Sequence, residues 1–292
     1  MDDCAISNLL TLTQISGLGR KRIKKLLKKS DLINNSLDEL LEMACDIGII
    51  KVLPTEQSLK MAADSTADIF AKNARYGIKM MTYFDDDFPK CLLYDDGPVV
   101  IYYLGNIDCL DINKRVAVIG SRNPDQNGIR FAYNVAKEIA LQNGVIISGL
   151  ALGCDTAGHR GALSVKGRTL AFLPSGLLNI YPEVNRTLAH EILDNGGGLI
   201  SEYSLATDAH VYQFVERDRL QAAASQIVMV SSFAQSSGTL HTLKFANKYS
   251  RSIYTIEEIV KRNPTGFGAL NALEISYSII NFSEIVDVLD QL

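Results

Sequence analysis

From Lys114 to Ile256 the chain repeats one alternation: a short aliphatic run with few polar positions, then a stretch carrying apolar residues at helical spacing. The runs RVAVIG, VIISGL, RTLAFLP, GGLISEY, QIVMVSS and SIYTI read as strands, and Gly128–Asn143, Thr156–Val165, Asn185–Asp194, Gln213–Ala224 and Leu240–Tyr249 as the helices between them. Strands without a polar side need cover on both faces, and helices inserted between consecutive strands provide it. The predicted fold class is therefore α/β, a doubly wound, mostly parallel Rossmann-like sheet, occupying 114–292.

Residues 1–75 alternate apolar and polar positions at helical spacing, with breaks at Gly17, Gly19, Ser30, Ser36 and Pro54, and predict a small helical domain. In 76–113 the breakers Pro89, Gly97 and Pro98 interrupt short extended runs, which reads as a connecting segment packed on the core. The closing ISYSIINFSEIVDVLDQL is apolar at helical spacing and reads as cover for the sheet or for a twofold partner.

Composition narrows the class. With 292 residues, 47% of them hydrophobic, the chain has room for about two globular domains, and disorder, collagen and coiled coil are excluded. No apolar stretch reaches the roughly 18 residues that cross a bilayer. The start, MDDCAISNLL, is acidic where a secretory signal is basic, so a cytoplasmic protein without membrane contact is expected. Cys4, Cys45, Cys91, Cys109 and Cys154 are odd in number and never form CxxC, so neither a disulfide framework nor a metal site is expected, and they read as reduced, mostly buried thiols. The charge is −4, yet all seven Lys/Arg of residues 1–29 fall between Arg20 and Lys29, and Lys114–Ile256 carries fourteen basic residues against ten acidic ones. Two basic regions in an acidic chain are either solvated helix faces or a footprint for a polyanion.

In a doubly wound sheet the ligand sits at the carboxyl ends of the strands. After VAVI come Gly120-Ser121-Arg122-Asn123-Pro124, a tight turn before a helix, with Arg122 as a charge-assisted donor. This is not GxGxxG, and no acidic residue follows at the spacing that holds a ribose, so a dinucleotide site is not expected. The second strand ends in Ser148-Gly149-Leu150-Ala151-Leu152-Gly153-Cys154-Asp155, where glycine permits close backbone approach. Tyr181-Pro182-Glu183-Val184-Asn185 and Ser201-Glu202-Tyr203 follow the next two strands, and Ser237-Gly238-Thr239 opens a helix as a second anion cradle. Phe214, three residues before Arg217 and five before Arg219, reads either as core or as a platform for a base.

The ordered set VAVIGSR, SGLAxGxD with His159 and Gly161 after it, SGLxxxYPxxN, SEY, FxxRxRLxAAAS and SSGTLxTxxxA resembles the DprA/Smf family, cytosolic bacterial proteins that bind single-stranded DNA and hand it to the RecA recombinase in natural transformation. The likeness runs from about Tyr83 to Ile256, with a weaker echo in GFGALNAL. It implies a DNA-binding mediator of recombination and competence that protects single strands, acts as a homodimer, and has neither cofactor nor catalytic centre of its own. The implied phosphate site comprises Gly120, Ser121, Arg122, Gly149, Arg217, Arg219, Ser237, Gly238 and Thr239, with Asn185 orienting it and Phe214 stacking a base. The N-terminal Ile15-Ser16-Gly17-Leu18-Gly19-Arg20-Lys21 looks like the hairpin of a helix-hairpin-helix or SAM-like module, making Gly17, Gly19 and Lys21 a second candidate DNA contact.

The chain departs from the family pattern with Leu152 in place of Arg, Asp218 in place of Asn and Ser204 in place of Pro, so the proposed phosphate face loses one positive charge and gains a negative one. A C-terminal winged helix, carried by many members, is not expected after Leu292. The competing reading is a nucleotide-binding sensor or nucleoside-phosphate-cleaving enzyme of the same superfamily, with Glu202 or Asp155 as its base. Against it, Glu202 reads as an internal partner of an arginine, Asp155 as the N-cap of the next helix and His159 as a helix-surface residue, and no nucleophile constellation is present.

Overall fold

The computed structural model describes residues 3–30 and 34–292. The chain forms two compact units, Met1–Tyr102 and Tyr103–Leu292. The first holds helices α1 (Asp3–Gln14), α2 (Arg20–Leu27), α3 (Leu37–Asp46) and α4 (Glu56–Tyr76) and strand β1 (Lys79–Thr82). The boundary falls inside β2 (Val100–Gly105). Most of the segment read as a connector thus belongs with the helices. The reason is local: Lys24 donates to the Tyr94 carbonyl at 2.8 Å with its ammonium 4.3 Å from the Tyr83 ring centre, and Arg20 donates to the Asp96 carbonyl at 2.9 Å. Part of the Arg20–Lys29 run is therefore structural, whereas Lys21 and Lys25 remain exposed. Gly17, at φ +86°, makes the turn from α1 to α2, where its carbonyl accepts from Arg22.

In the second unit come β3 (Arg115–Ile119), α5 (Gln126–Leu141), β4 (Val145–Ser148), α6 (Cys154–Leu163), β5 (Thr169–Leu173), α7 (Arg186–Asp194), β6 (Gly198–Ser201), α8 (Val211–Ala224), β7 (Ile227–Val230), α9 (Thr239–Lys248) and β8 (Ser252–Thr255). After them lie α10 (Glu257–Arg262), α11 (Pro264–Ala272), β9 (Ser278–Ile279) and α12 (Ile285–Asp290). Strands lie in the order β6-β5-β4-β3-β7-β8-β9, every adjacent pair parallel. Every residue of β3 through β7 is buried, as the unbroken aliphatic runs require of strands covered on both faces. All six predicted strands and all five predicted helices form, each helix starting within about two residues of its expected place. The closing segment differs from its periodicity: Ser278–Ile279 joins the sheet beside Tyr254–Thr255, and only Ile285–Asp290 is α-helical, packing on α5. The thiols also differ. Cys109 and Cys154 are buried, Cys45 and Cys91 half-buried and Cys4 exposed.

Strand order fixes where a ligand can sit. The chain steps outward from β3 through β4 and β5 to β6, then returns by α8 to place β7 against the other side of β3. The connections leaving β3 and β7 diverge, and a crevice opens between them above the strand ends.

Candidate functional site

A cavity of about 640 Å3 occupies that crevice. One wall is the turn after β3, Gly120 to Asn123, and the opposite wall is Ala234, Ser236–Thr239, His241 and Thr242 at the start of α9. Phe214, Arg217, Asp218 and Gln221 come from α8, and Asp155 from α6. A smaller niche of about 100 Å3 adjoins it between Arg122, Gly149, Leu152, Tyr181, Pro182 and Phe214.

The Gly-Ser-Arg turn is held from both sides. Ser121 donates its N–H to the Ser232 carbonyl at 2.6 Å, and its own carbonyl accepts from the Cys154 N–H at 3.1 Å. Gly120 has no room for a side chain, because a Cβ there would stand 2.5 Å from the Cys154 sulfur. The turn leaves the Arg122 side chain exposed, its guanidinium carbon 4.8 Å from the Phe214 ring centre. Phe214 is half-buried and packs edge-to-face with Tyr181, the ring centres 5.3 Å apart. The two readings of Phe214 therefore meet: one side is packed, and the remaining surface lines the cavity.

The two α8 arginines behave differently from a pair of phosphate ligands. Arg217 lines the cavity but is only 4% exposed. Its Nε donates to Asp218 Oδ1 at 3.0 Å and its Nη1 to the carbonyls of Gly149 and, at 3.1 Å, Phe172. Arg219 does not line the cavity: it is 1% exposed and ion-paired with Glu202 and Glu216. Helical geometry explains the split, since residues two apart on a helix project about 200° apart. Glu202 is thus an arginine's internal partner, but of the arginine that points away.

The Gly149–Ala151 turn is built by side chains rather than ligand. Asp155 Oδ2 accepts from the N–H groups of Gly149 at 3.1 Å and Ala151 at 3.4 Å, so it caps the turn before α6 and not α6 itself, whose N-cap is Gly153. Leu150 sits at φ +59°, and Asn185 Nδ2 donates to its carbonyl at 2.8 Å while His159 Nε2 accepts from its N–H at 3.3 Å. His159 is fully buried, not on the helix surface, and its Nδ1 lies 2.7 Å from Thr169 Oγ1, which donates onward to the Ile146 carbonyl. That chain of donors assigns the proton to Nδ1, and burial drives the imidazole pKa down to about 3. A Cβ on Gly149 would overlap the Arg217 guanidinium, which makes glycine obligatory there.

Burial pushes both acids up. The Asp155 carboxyl is raised by loss of solvation, against the pull of Arg217, and Asp218 is raised to about 7 by the same loss, again against Arg217, with Asp155 adding to the rise. On the opposite wall Ser237 Oγ accepts from the Thr239 N–H at 3.2 Å and donates to Thr239 Oγ1 at 2.9 Å. Ser237 and Thr239 line the cavity, as does Gly238.

The geometry thus gathers Gly120, Ser121, Arg122, Phe214, Arg217, Ser237, Gly238 and Thr239 around one cavity and Gly149 in the adjoining niche, leaves Asn185 behind the turn it supports, and turns Arg219 away. Gly17, Gly19 and Lys21 belong to the other unit. Tyr181, Gln221 and His241 are further lining residues. Tyr181 and His241 lie within the sequence blocks already singled out, and Gln221, seven residues after Phe214 and four after Arg217, falls on the helix face those two define. Among the described residues no cluster of three or more metal-ligating side chains occurs, and no helix is long and apolar enough to cross a membrane.

Residues 79–290 match the family model described as DNA recombination-mediator protein A. Protein Smf of Synechocystis is 29% identical over 259 residues, 85% of this chain and 63% of that protein. DNA processing protein DprA of Streptococcus pneumoniae is 36% identical over 175 residues, 59% of this chain and 60% of that one. The chain therefore spans less than two thirds of the length of these curated relatives. Among solved structures, the X-ray structure of Streptococcus pneumoniae DprA superposes with a TM-score of 0.76 at 25% identity, covering 95% of each chain. DNA processing protein A of Helicobacter pylori, described for its single-stranded DNA binding mode, superposes with a TM-score of 0.66 at 27% identity, covering 73% of this chain and 96% of that one.

Proposed function

The chain belongs to the DNA recombination-mediator protein A (DprA/Smf) family, and from that premise we propose that it binds single-stranded DNA in the cavity between β3 and β7 and passes it to a RecA-type recombinase. The observation that carries the reading is Arg122, an exposed guanidinium held over the Phe214 ring at the mouth of the cavity. A cation beside an aromatic face offers the two groups an unpaired strand presents together, a phosphate and the π-face of its base. The wall at Ser237–Thr239 adds hydroxyl donors from the far side. A duplex keeps its bases stacked inside and cannot supply the second contact.

The remaining cationic contribution differs from the expected set. Arg122 is the arginine that can meet a phosphate without giving up an internal partner, whereas Arg217 holds the cavity floor and Arg219 an internal ion pair. In the other unit the hairpin of Gly17, Gly19 and the exposed Lys21 is a separate candidate DNA contact. A homodimer presenting two such sites would bind a long strand with avidity.

The experiment that tests this reading is a fluorescence-polarisation titration with thymidine oligonucleotides of increasing length and with thymidine monophosphate. Affinity that rises with length supports the strand-binding reading. Low-micromolar binding of the mononucleotide, unchanged by length, would replace it with a nucleotide sensor, for which a cavity of about 640 Å3 is large enough.

A further inference from the structure

We propose that Asp218 makes anion binding in this cavity proton-linked: seating a phosphate near Arg122 draws a proton from solvent onto the Asp218 carboxyl, so single-stranded DNA binds more tightly as pH falls through neutrality. The inference rests on the reading above, that phosphates of the strand enter this cavity.

Asp218 is 7% exposed, yet it lines the cavity, so an entering anion approaches a carboxyl that has little water around it. One oxygen accepts from Arg217 Nε at 3.0 Å. The charged and titratable groups around it come from four elements: Arg217 on α8 itself, Asp155 on α6, Arg122 in the turn after β3, and His241 on α9 across the cavity. With both acids ionised, Asp155 and Asp218 cancel Arg217 and Arg122, and the cavity offers an anion no net attraction. With Asp218 protonated the same set carries one net positive charge. Binding a phosphate and binding a proton therefore favour each other, and the coupling is reciprocal.

The size of the effect follows from where the carboxyl titrates. Its pKa of about 7 in the free protein means that, in the limit where only the protonated form accepts the strand, affinity falls about tenfold between pH 6 and pH 8. A thymidine oligonucleotide is the suitable probe because neither its phosphodiesters nor its bases change charge in that range. His241 lines the same cavity, so its variant serves as the control for Asp218.

The test measures dissociation constants for a thymidine oligonucleotide at pH 6, 7 and 8 at fixed ionic strength, for the wild type, Asp218→Asn and His241→Gln. The expected result is a roughly tenfold weakening in the wild type, most of it kept in His241→Gln and most of it lost in Asp218→Asn. The same fall in Asp218→Asn as in the wild type, or no fall in the wild type, would overturn the inference while leaving strand binding intact. Absence of single-strand binding at every pH would overturn the function proposed above as well. Calorimetry of the wild type in two buffers of different ionisation enthalpy needs no variant: at pH 7 it should show uptake of about half a proton per bound site. Zero uptake would overturn the proposal even if Asp218→Asn failed to fold.

Discussion

Replacing Arg217 by Ala removes the one guanidinium that spans two buried acids and two backbone carbonyls. Asp218 loses its 3.0 Å partner, Asp155 loses the cation that opposes its rise, and the carbonyls of Gly149 and Phe172 lose a donor. Breaking a buried ion pair from one side costs about 3–5 kcal/mol, because the surviving charge stays desolvated. In a unit the size of Tyr103–Leu292, each kcal/mol moves the thermal midpoint by about 2–4 °C, so the midpoint should drop by about 6–20 °C. The loss depends on pH with a definite sign. Asp218 already has a raised folded-state pKa of about 7, so its native-state proton adds stability below the unfolded carboxylate range and that contribution disappears as pH rises through 7. Without Arg217 both acids rise further, so the deficit relative to wild type should be largest at pH 8 and smaller at pH 5. Differential scanning calorimetry at the two pH values reads both quantities. A midpoint within about 2 °C of wild type at pH 8 would refute the structural role and return Arg217 to the set of free phosphate ligands.

Three further outcomes are expected. Arg122→Ala should leave the thermal midpoint unchanged, because its side chain is exposed, and weaken single-strand binding by about 1–3 kcal/mol while lowering the slope of log affinity against log salt by about 0.7; polarisation titrations at several salt concentrations check both. Gly149→Ala should destabilise the fold, because its new methyl would overlap the Arg217 guanidinium, and a fall in the urea midpoint is the readout. His159, with its folded pKa lowered to about 3, contributes stability that is complete above the unfolded value of 6.5 and lost as pH falls toward 3; comparing urea midpoints of wild type and His159→Gln at pH 7, 5 and 4 should show a shallower acid loss in the variant.

The sheet was legible because its signal is redundant. Each aliphatic run from Val116–Ile119 to Ile227–Val230 is too apolar for a one-sided strand, and each is followed by a helix; α5 also has a capping side chain, Asp125, which accepts from the Gly128 N–H at 2.7 Å. The walls of the cavity were legible for the same reason: strand ends in a parallel sheet converge, so Ser121, Arg122 and Ser237–Thr239 were identifiable before any geometry. Charge assignment was not. A sequence shows that Arg217 and Arg219 are close in the chain, but only the helix rotation and the partners Asp218, Glu202 and Glu216 decide that one supports the floor and the other faces away. His159 and Asp155 illustrate the same limit, since both serve the turn at Gly149–Ala151 through hydrogen bonds that no spacing rule marks. The tail misled because Ile275–Ile285 has apolar residues that fit a helix and an edge strand equally, and the open edge at β8 selected the strand.

An unpaired strand entering the cavity between β3 and β7 should meet Arg122 and Phe214 together. The most direct test is a competition between a single-stranded oligonucleotide and the duplex of the same length and sequence, run with wild type, Arg122→Ala and Phe214→Ala at moderate salt, with folding of each variant checked by circular dichroism. At least tenfold preference for the single strand is expected in the wild type, reduced in both folded variants because each removes one of the two contacts a duplex cannot offer together. Equal affinity of the wild type for duplex and single strand, or a preference untouched by both substitutions, would contradict it.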